Sequence, residues 1–416
     1  MCDLICFVIN LKLNFKKQLP GESYGFKYPL DSSQLGEGKL GDRAWFTKAL
    51  QASGAIDKAT SVSKVTSKQF LNNGLLSDIG HVSLQYDGGK GSEPTDLIVK
   101  CAPVEFETRI TTDIFKLART EYLLYKQASG QMPFSRIPKL YYGDINWKTG
   151  NYCLLLEKIN ADFYNILTNP SGDGKTLVRQ PMDLSKAKMC LYQLAKFHAM
   201  FPDKVIRKDS NLSFFPRVSE PTYKLFKVEA TKHWKNGVAS NRPNGIVHEG
   251  WTYKIPDSFR NVADDLLKNF TNVLTYAAEG NPECVGLTHG DPRIDNWFFY
   301  KNENGEDDCG ILDFQLMTIS SQPSDIAWLL QSSCEAKMLD EHEDMLIEEY
   351  LKTYEEMRGG EKVDREMWME EYALSYVGCI GKNIIGAGGI KAISEMVVQS
   401  MNFLLDGGFA GWNRRT

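Results

Sequence analysis

The sequence predicts an α+β fold of two lobes, in which a small antiparallel β lobe with one helix precedes a larger, mainly helical lobe. Apolar residues alternate with polar ones at a period of two over much of residues 65–160, and then recur at helical spacing over most of the remaining chain. A brief return of the β pattern at 285–316 places a β-hairpin inside the helical lobe.

The length and composition limit which classes of protein this chain can belong to. A chain of 416 residues has room for two to three domains, or one two-lobed unit, at roughly 150 residues per domain. The net charge of −5 does not fit a nucleic-acid binder, which needs a basic face. No apolar run reaches the roughly 18 residues of a bilayer span, so we expect no integral membrane segment. The nine cysteines are scattered without a CxxC pair, which indicates free thiols in a reducing, cytoplasmic compartment.

Three segments are predicted along the chain: an N-terminal extension over 1–40, a small lobe over 41–160 and a large lobe over 161–416. Residues 20–40 are rich in Gly, Pro, Ser and Asp, which is typical of a loop or linker. The apolar run near the start is short and follows an acidic residue, so a buried or frayed N-terminus is favoured over a signal peptide.

The small lobe begins with a helix over 41–55, because apolar residues there recur at helical spacing. Two strands with a turn follow from residue 65 to about 87. The remaining predicted elements are a strand at 96–103, a helix at 110–129, and strands at 139–147 and 151–159.

The large lobe begins with a helix over 183–201, for which Asp183 is a good N-cap. A second amphipathic helix is predicted over 258–277. In the β segment that follows, the polar stretch 302–308 predicts the turn of a hairpin. Two long helical stretches then continue to the C-terminus, with the Gly-rich segment 378–391 expected between them.

The sequence HGDPRIDN at 289–296, followed by ILDF at 311–314, is the strongest chemical signal. In protein-kinase-type sites an Asp orients the acceptor hydroxyl, an Asn five residues later binds metal, and a second Asp after a hairpin chelates Mg²⁺. Asn296 lies five residues after Asp291, and Asp313 follows the predicted hairpin, so these three are the candidate catalytic residues, with Asn296 and Asp313 as candidates to bind metal. An isolated HGD is common in turns, whereas the full combination is specific.

The small lobe supplies candidate partners for a nucleotide. Lys100 lies in a predicted strand and is placed to reach the phosphates, and Glu121 on the next helix is its candidate ion-pair partner. Ser77 lies near the tip of the loop at 72–80 and is a candidate phosphate donor, although a plain turn serine is an equal alternative. Backbone groups from Glu157 to Ile159 are the expected contacts of an adenine ring.

These motifs resemble the choline/ethanolamine-kinase and aminoglycoside-phosphotransferase superfamily, which shares the protein-kinase fold. Within it, DFQ at 313–315 resembles the ecdysteroid-kinase-like, or CHK-kinase-like, group, and LAKFHA at 194–199 and SDIAWLL at 324–330 match common helix motifs. The loop at 289–296 is also similar to a phosphotransferase domain fused to some acyl-CoA dehydrogenases, which phosphorylates hydroxyacyl-CoA.

The resemblance extends over about 41–405. It implies that Asp291 is the catalytic base and that Asn296 and Asp313 are metal ligands. It also implies that Lys100, with Glu121, binds the phosphates.

The resemblance further implies that Asp325 is a structural acid that ties the catalytic loop from the helix side. His289 would support this loop rather than act as a nucleophile. His198 is interpreted as a satisfied core histidine.

The sequence therefore predicts a kinase that uses ATP and Mg²⁺ to phosphorylate a hydroxyl of a small molecule. The nucleotide would bind the N-lobe at 41–160, and the C-lobe at 161–416 would hold the catalytic loop and the substrate-binding helices. Sterol-like, amino-alcohol, aminoglycoside-like and hydroxyacyl acceptors all stay open, as does the oligomeric state. The alternative is a catalytically inactive nucleotide-binding or scaffold protein on the same fold. A protein substrate is disfavoured, because no APE-type segment follows ILDFQ.

Overall fold

The computed structural model describes part of the chain, and the chain divides into two compact units. The described residues are 43–71, 76–103, 112–147, 150–163, 167–168, 178–225, 227, 231 and 257–387. The first unit comprises Met1–Gly130 and Ile137–Asn160, and the second comprises Gln131–Arg136 and Ala161–Thr416. The predicted extension over 1–40 lies outside the described residues.

An antiparallel sheet of order β1-β2-β3-β5-β4 forms the core of the first unit, which confirms the predicted β lobe. Its strands are β1 (Ser61–Leu71), β2 (Asp78–Asp87), β3 (Asp96–Cys101), β4 (Leu140–Ile145) and β5 (Tyr152–Glu157).

The two faces of this sheet have different environments, because alternate residues of a strand point to opposite sides. One face packs against α1 (Arg43–Ala52) in an apolar core that includes Val99 of β3. Lys100 is the next residue and therefore lies on the other face, in register with Leu154 of β5. The strand register thus separates the lysine from the apolar core.

The helical segment that follows β3 is less regular than the sequence predicts. Within the predicted helix over 110–129, residues 112–114 are helical and 110–111 lie outside the described residues. After a turn comes α2 (Leu117–Leu123), which continues as a π-helical turn over Leu124–Ala128 and a 3₁₀ turn over Ser129–Gln131. Lys116, immediately before α2, has a φ of 57°. A regular α-helix cannot pass through this left-handed conformation, so α2 begins only after it.

The second unit is mainly helical, as predicted. The structure describes six α-helices of at least four residues in this unit. They are α3 (Leu184–Met200), α4 (Asp203–Ile206), α5 (Asp257–Glu279), α6 (Pro323–Ser333), α7 (Ala336–Met357) and α8 (Arg365–Ala387). Its described strands are β6 (Asp162–Phe163), β7 (Leu167–Thr168), β8 (Val178–Arg179), β9 (Val285–Thr288), β10 (Trp297–Lys301), β11 (Asp307–Ile311) and β12 (Thr318–Ser321). No helix among the described residues combines the length and apolarity that crossing a membrane would require.

The predicted hairpin is confirmed, since β10 and β11 pair antiparallel around the turn between them. The strand β12 was not predicted from the sequence. It pairs antiparallel with β9, and all four of its residues are buried. The sequence of β12 is TISS, so hydroxyl side chains occupy most of a buried strand, and the apolar pattern that reveals other strands is missing.

The Gly-rich segment 378–391, predicted as a break between two helical stretches, is helical where the structure describes it, because α8 runs through Gly378 to Ala387. Residues 388–416, with the second stretch predicted there, lie outside the described residues. Helix α7 ends before Gly359 and Gly360, whose φ values are 76° and 88°. Glycine adopts this left-handed conformation without steric cost, and the Gly360 N–H closes the helix end by donating to the Glu355 carbonyl at 2.9 Å.

We expect Asp183→Ala to lower the free energy of unfolding by about 1 kcal/mol. The Asp183 side chain accepts from the backbone N–H of Lys186 at 2.9 Å, so its removal leaves a donor of the first turn of α3 unpaired. Chemical denaturation measures the change. Asp183→Asn keeps an acceptor oxygen and is the matched control. Equal losses in the two variants would contradict the capping role.

Candidate functional site

The loop HGDPRIDN leaves β9 through a sharp turn at Gly290, which has a φ of 83°. A Cβ at this position would lie 2.1 Å from the carbonyl oxygen of Leu316. Both the backbone conformation and the close approach therefore require glycine. The turn directs the next residue, Asp291, away from the strand.

The carboxylate of Asp325 holds this turn in place. Its Oδ2 accepts the backbone N–H of His289 at 2.6 Å, and its Oδ1 accepts that of Gly290 at 3.0 Å. Asp325 is fully buried in the first turn of α6, as the resemblance implied for an acid that ties the loop from the helix side. Charge-assisted bonds of this kind are the stronger class of hydrogen bond.

His198 of α3 completes this buried network. Its Nε2 lies 3.2 Å from Asp325 Oδ2, and its Nδ1 lies 2.8 Å from the hydroxyl of Tyr350. Because a carboxylate only accepts, Nε2 carries the proton that is donated to Asp325. Both ring nitrogens are paired and the side chain is fully buried, which agrees with the interpretation of His198 as a core histidine.

His289 supports the loop from inside. Its Nε2–H donates to the carbonyl of Leu312 at 3.1 Å, and its Nδ1 accepts the backbone N–H of Asp291 at 3.3 Å. This pattern requires the neutral imidazole. Burial lowers the pKa of His289, although the nearby carboxylates of Asp325 and Asp291 act in the opposite direction. Both nitrogens are used in structural bonds, as expected for a supporting residue.

The carboxylate of Asp291 is oriented by two neighbouring side chains. Trp328 Nε1–H donates to Oδ1 at 2.7 Å, and Asn296 Nδ2–H lies 3.3 Å from Oδ2. The same Nδ2 donates to the backbone carbonyl of Asp291 at 2.7 Å. The structure therefore brings Asp291 and Asn296 together, and the amide oxygen of Asn296 is left as the atom that can ligate a cation.

Trp328 is a site residue to which sequence reasoning assigned no role. It lies within the SDIAWLL motif, and its spacing on α6 is that of an ordinary core aromatic. Its position three residues past Asp325 on the same helix is the only local signal. Nothing in the sequence indicates that its indole N–H reaches Asp291.

Asp313 follows the hairpin and has a φ of 65°, one of two positive values among the non-glycine residues described. Aspartate tolerates this region better than most residues, and such strain clusters at functional sites. Gln315 Nε2–H donates to Asp313 Oδ2 at 3.3 Å. The backbone N–H of Leu312 donates to the carbonyl of Asn296 at 3.0 Å, so the hairpin end is joined to the catalytic loop.

In the first unit, Lys100 and Glu121 form an ion pair. Lys100 Nζ lies 2.7 Å from Glu121 Oε2, and the side chains are only 6% and 1% exposed. A lone buried charge is costly, so the two groups depend on each other. Burial raises the pKa of the neighbouring Tyr152, while the positive charge of Lys100 acts against this shift. Lys100 is therefore not a solvated surface lysine.

The other predicted nucleotide contacts lie in the same unit but are less directly placed. Ser77 is buried at 2% exposure, beside the phenol of Tyr152. The backbone N–H of Glu157 already donates to the carbonyl of Lys139 at 2.8 Å, and Ile159 is buried. Base contacts would therefore have to come from other backbone groups in this segment. The roles of all three residues stay predictions.

The donor set of the second unit fits Mg²⁺. This ion prefers oxygen ligands and is commonly held by one or two carboxylates together with substrate phosphates. The Asn296 amide oxygen and the Asp313 carboxylate supply such oxygens. In the part of the chain that the structure describes, no group of three or more His, Cys, Asp or Glu side chains is arranged to hold a metal, and a site shared with phosphates does not need one.

The α+β fold and this loop define the class as a protein-kinase-like phosphotransferase. A sequence model of the ecdysteroid kinase-like family matches residues 73–358, and the chain belongs to this family. By family it is a small-molecule kinase, a class that uses a nucleotide and a divalent cation in general. Comparison with curated protein sequences gives no significant match.

The solved structures that the chain matches include two phosphotransferases and a kinase. The GDP complex of aminoglycoside 2′-phosphotransferase-IIIa is 14% identical, with 89% of this chain and 99% of that chain covered and a TM-score of 0.47. Macrolide 2′-phosphotransferase from Brachybacterium faecium is 12% identical, covering 85% and 96% at a TM-score of 0.45. Plasmodium vivax ethanolamine kinase is 12% identical, covering 95% and 93% at 0.47. Identities this low carry no information on the acceptor of this chain.

We expect acid to destabilise the protein through His289. Because burial lowers the pKa of His289 below its ordinary value of 6.5, the unfolded chain binds a proton that the folded chain does not as the pH falls through 6.5. The His289 contribution is therefore absent above this pH and costs up to about 1.4 kcal/mol per pH unit below it.

Denaturation of the wild type and of His289→Gln, measured between about pH 5 and about pH 8, tests this expectation. The variant should be less stable at neutral pH, and its deficit should shrink as the pH falls. A difference between the two proteins that is constant over the range would contradict it.

Proposed function

We propose that this protein is an ATP- and Mg²⁺-dependent kinase that transfers the γ-phosphoryl group to a hydroxyl of a small molecule. The observation that carries the proposal is the fixed carboxylate of Asp291. It is oriented by Trp328 and Asn296 on a loop that Asp325 holds from inside. Unlike the fully buried carboxylate of Asp325, the Asp291 side chain is 17% exposed and therefore stays accessible to a bound hydroxyl.

Asp291 acts on the acceptor. Its carboxylate accepts a hydrogen bond from the acceptor hydroxyl, aims the oxygen at the γ-phosphorus and takes the proton. The new bond joins the acceptor oxygen to the γ-phosphorus. The bond that breaks joins the γ-phosphorus to the bridging oxygen, which leaves on the nucleoside diphosphate with the bonding electrons.

The other residues bind the nucleotide and its cation. Lys100, held by Glu121, is proposed to contact the phosphates, with Ser77 and the backbone from Glu157 to Ile159 as further nucleotide contacts. Asn296 and Asp313 are proposed to hold the metal. When bound, Mg²⁺ would neutralise negative charge on the phosphate oxygens.

The acceptor class is open among sterol-like, amino-alcohol, aminoglycoside-like and hydroxyacyl compounds, and the family name makes a sterol-like hydroxyl the first to test. We also propose a cytoplasmic location. The seven cysteines described are all free and buried, as expected in a reducing compartment.

The second candidate is a nucleotide-binding or scaffold protein without activity. It is disfavoured because each residue that the chemistry requires is present, from Lys100 and Glu121 to Asp291, Asn296 and Asp313. Nucleotide binding alone does not separate the two candidates. Turnover does.

We expect a phosphorylated product when the protein is incubated with ATP, Mg²⁺ and a pooled metabolite extract that includes sterols and amino-alcohols. Mass spectrometry detects the product. Asp291→Ala should lower its rate of formation by about 10²- to 10⁴-fold, because the general base is lost.

Asp307→Ala is the matched control, since Asp307 is an exposed aspartate on the hairpin that follows the catalytic loop, where it pairs with Lys301. It should retain the wild-type rate. A rate of product formation with Asp291→Ala equal to that of the wild type would exclude Asp291 as the general base. Absence of product with wild type that still binds ATP would favour the inactive alternative.

A further inference from the structure

Arg293 is the one arginine of the catalytic loop 289–296, and the proposed transfer reaction does not use it. It lies two residues after Asp291, and its side chain is 23% exposed. Its Nε lies 3.3 Å from Asp291 Oδ2, and its Nη1 lies 3.8 Å from Asp295 Oδ2. The guanidinium is therefore beside the carboxylate that is proposed to receive the acceptor proton.

These contacts leave part of the hydrogen-bonding capacity of the guanidinium unused. Its Nε is buried and has no hydrogen-bond partner among the residues that the structure describes. Arginine presents several N–H donors in a planar fork, and buried donors in folded proteins are almost always bonded. Long ion pairs leave these donors available for an anion that binds beside Asp291.

The charge around Arg293 is strongly negative. The pKa of Arg293 is raised chiefly by Asp291, and also by Asp295 and Asp313, against the opposing effect of burial. One cation thus lies among three carboxylates, two of which belong to the proposed active site. A phosphoryl group that approached these carboxylates would be repelled by them, and Arg293 is the loop's own source of opposite charge.

A role limited to orienting Asp291 does not explain this arrangement. Trp328 already donates to Asp291 Oδ1 at 2.7 Å, and Asn296 donates to the backbone carbonyl of Asp291 at 2.7 Å. The Arg293 contact is longer than both and has no hydrogen-bond geometry at Nε. Arginine is the side chain best suited to bidentate recognition of phosphate.

The distances typical of phosphoryl transfer allow the Arg293 guanidinium to contact the transferred group. An acceptor oxygen that bonds to Asp291 lies about 2.6–3.2 Å from the carboxylate. The phosphorus that it attacks lies about 3–3.5 Å further on. A guanidinium in contact with the same carboxylate is therefore adjacent to the equatorial oxygens of the transferred group.

We propose that Arg293 is a further catalytic residue, whose guanidinium donates hydrogen bonds to the phosphoryl group that is transferred past Asp291. This inference rests on the proposed kinase function. The residue binds the terminal phosphoryl group of the nucleotide and stabilises the charge that spreads over its equatorial oxygens during transfer.

The test compares two nucleotides that differ by the terminal phosphoryl group. Calorimetry in the presence of Mg²⁺ gives the Kd of ADP and of AMP-PNP, a non-hydrolysable ATP analogue. Arg293→Met removes the charge and the donors but keeps most of the apolar stem. It should weaken AMP-PNP binding by about 10- to 100-fold and leave ADP binding within about twofold of wild type.

Arg293→Lys keeps the charge without the planar fork, so we expect a smaller loss that is again specific to AMP-PNP. This variant also serves if Arg293→Met does not fold. Arg207→Met is the control, because Arg207 is an exposed arginine of the same unit that pairs with Asp203. It should bind both nucleotides as the wild type does.

Equal weakening of ADP and AMP-PNP, or no weakening of either, would overturn the role of Arg293 while wild-type turnover kept the kinase function intact. Absence of nucleotide binding by the wild type would instead overturn the proposed function, and the inference would fall with it.

Discussion

The buried carboxylate of Asp325 is the constraint on which the second unit's site depends. It accepts two successive backbone N–H groups, from His289 and Gly290, and a third hydrogen bond from His198. Its place in the first turn of α6 adds the favourable field of a helix N-terminus. A loop whose backbone is fixed in this way cannot relax when a charged ligand binds, and fixed dipoles of this kind are the basis of electrostatic preorganisation.

The position of each chemical group follows from that fixed turn. Gly290 turns the chain, so Asp291 leaves the strand where the indole of Trp328 on the same helix as Asp325 can hold it. The bond from Leu312 to Asn296 then places the end of the hairpin beside the loop, and Asp313 follows one residue later. The first unit uses a different device, since strand register and a short helix bury Lys100 against Glu121. Each unit thus buries charged side chains at a cost in folding free energy, Asp325 in the second unit and Lys100 with Glu121 in the first.

The features that the sequence predicts well are those encoded locally. The period of the apolar pattern places the sheet strands, the side chain of Asp183 starts α3, and the polar turn after Trp297–Lys301 closes the hairpin. The spacing of Asp291, Asn296 and Asp313 is also a local pattern, and the roles assigned to these three residues stay predictions.

The features that it misses depend on contacts between distant residues. Trp328 is 37 residues from Asp291, and no spacing rule links them. The strand β12 is polar yet buried, because its partner β9 supplies the backbone bonds. The left-handed Lys116 and the helix that continues through Gly378 likewise go against local propensity, as tertiary packing often does.

The central claim is that the catalytic loop and Asp313 form a metal site that is completed by nucleotide phosphates. Titration with Mn²⁺, which shares the oxygen-ligand preference of Mg²⁺, can be followed by electron paramagnetic resonance with and without ADP. Asp313→Asn is the sharpest variant, because asparagine tolerates the same left-handed backbone. We expect the wild type with ADP to bind Mn²⁺ more tightly than ADP alone does in solution. The variant should bind Mn²⁺ at least about tenfold more weakly than the wild type, because it has lost a charged ligand. Equal Mn²⁺ affinity in the two proteins would contradict the central claim.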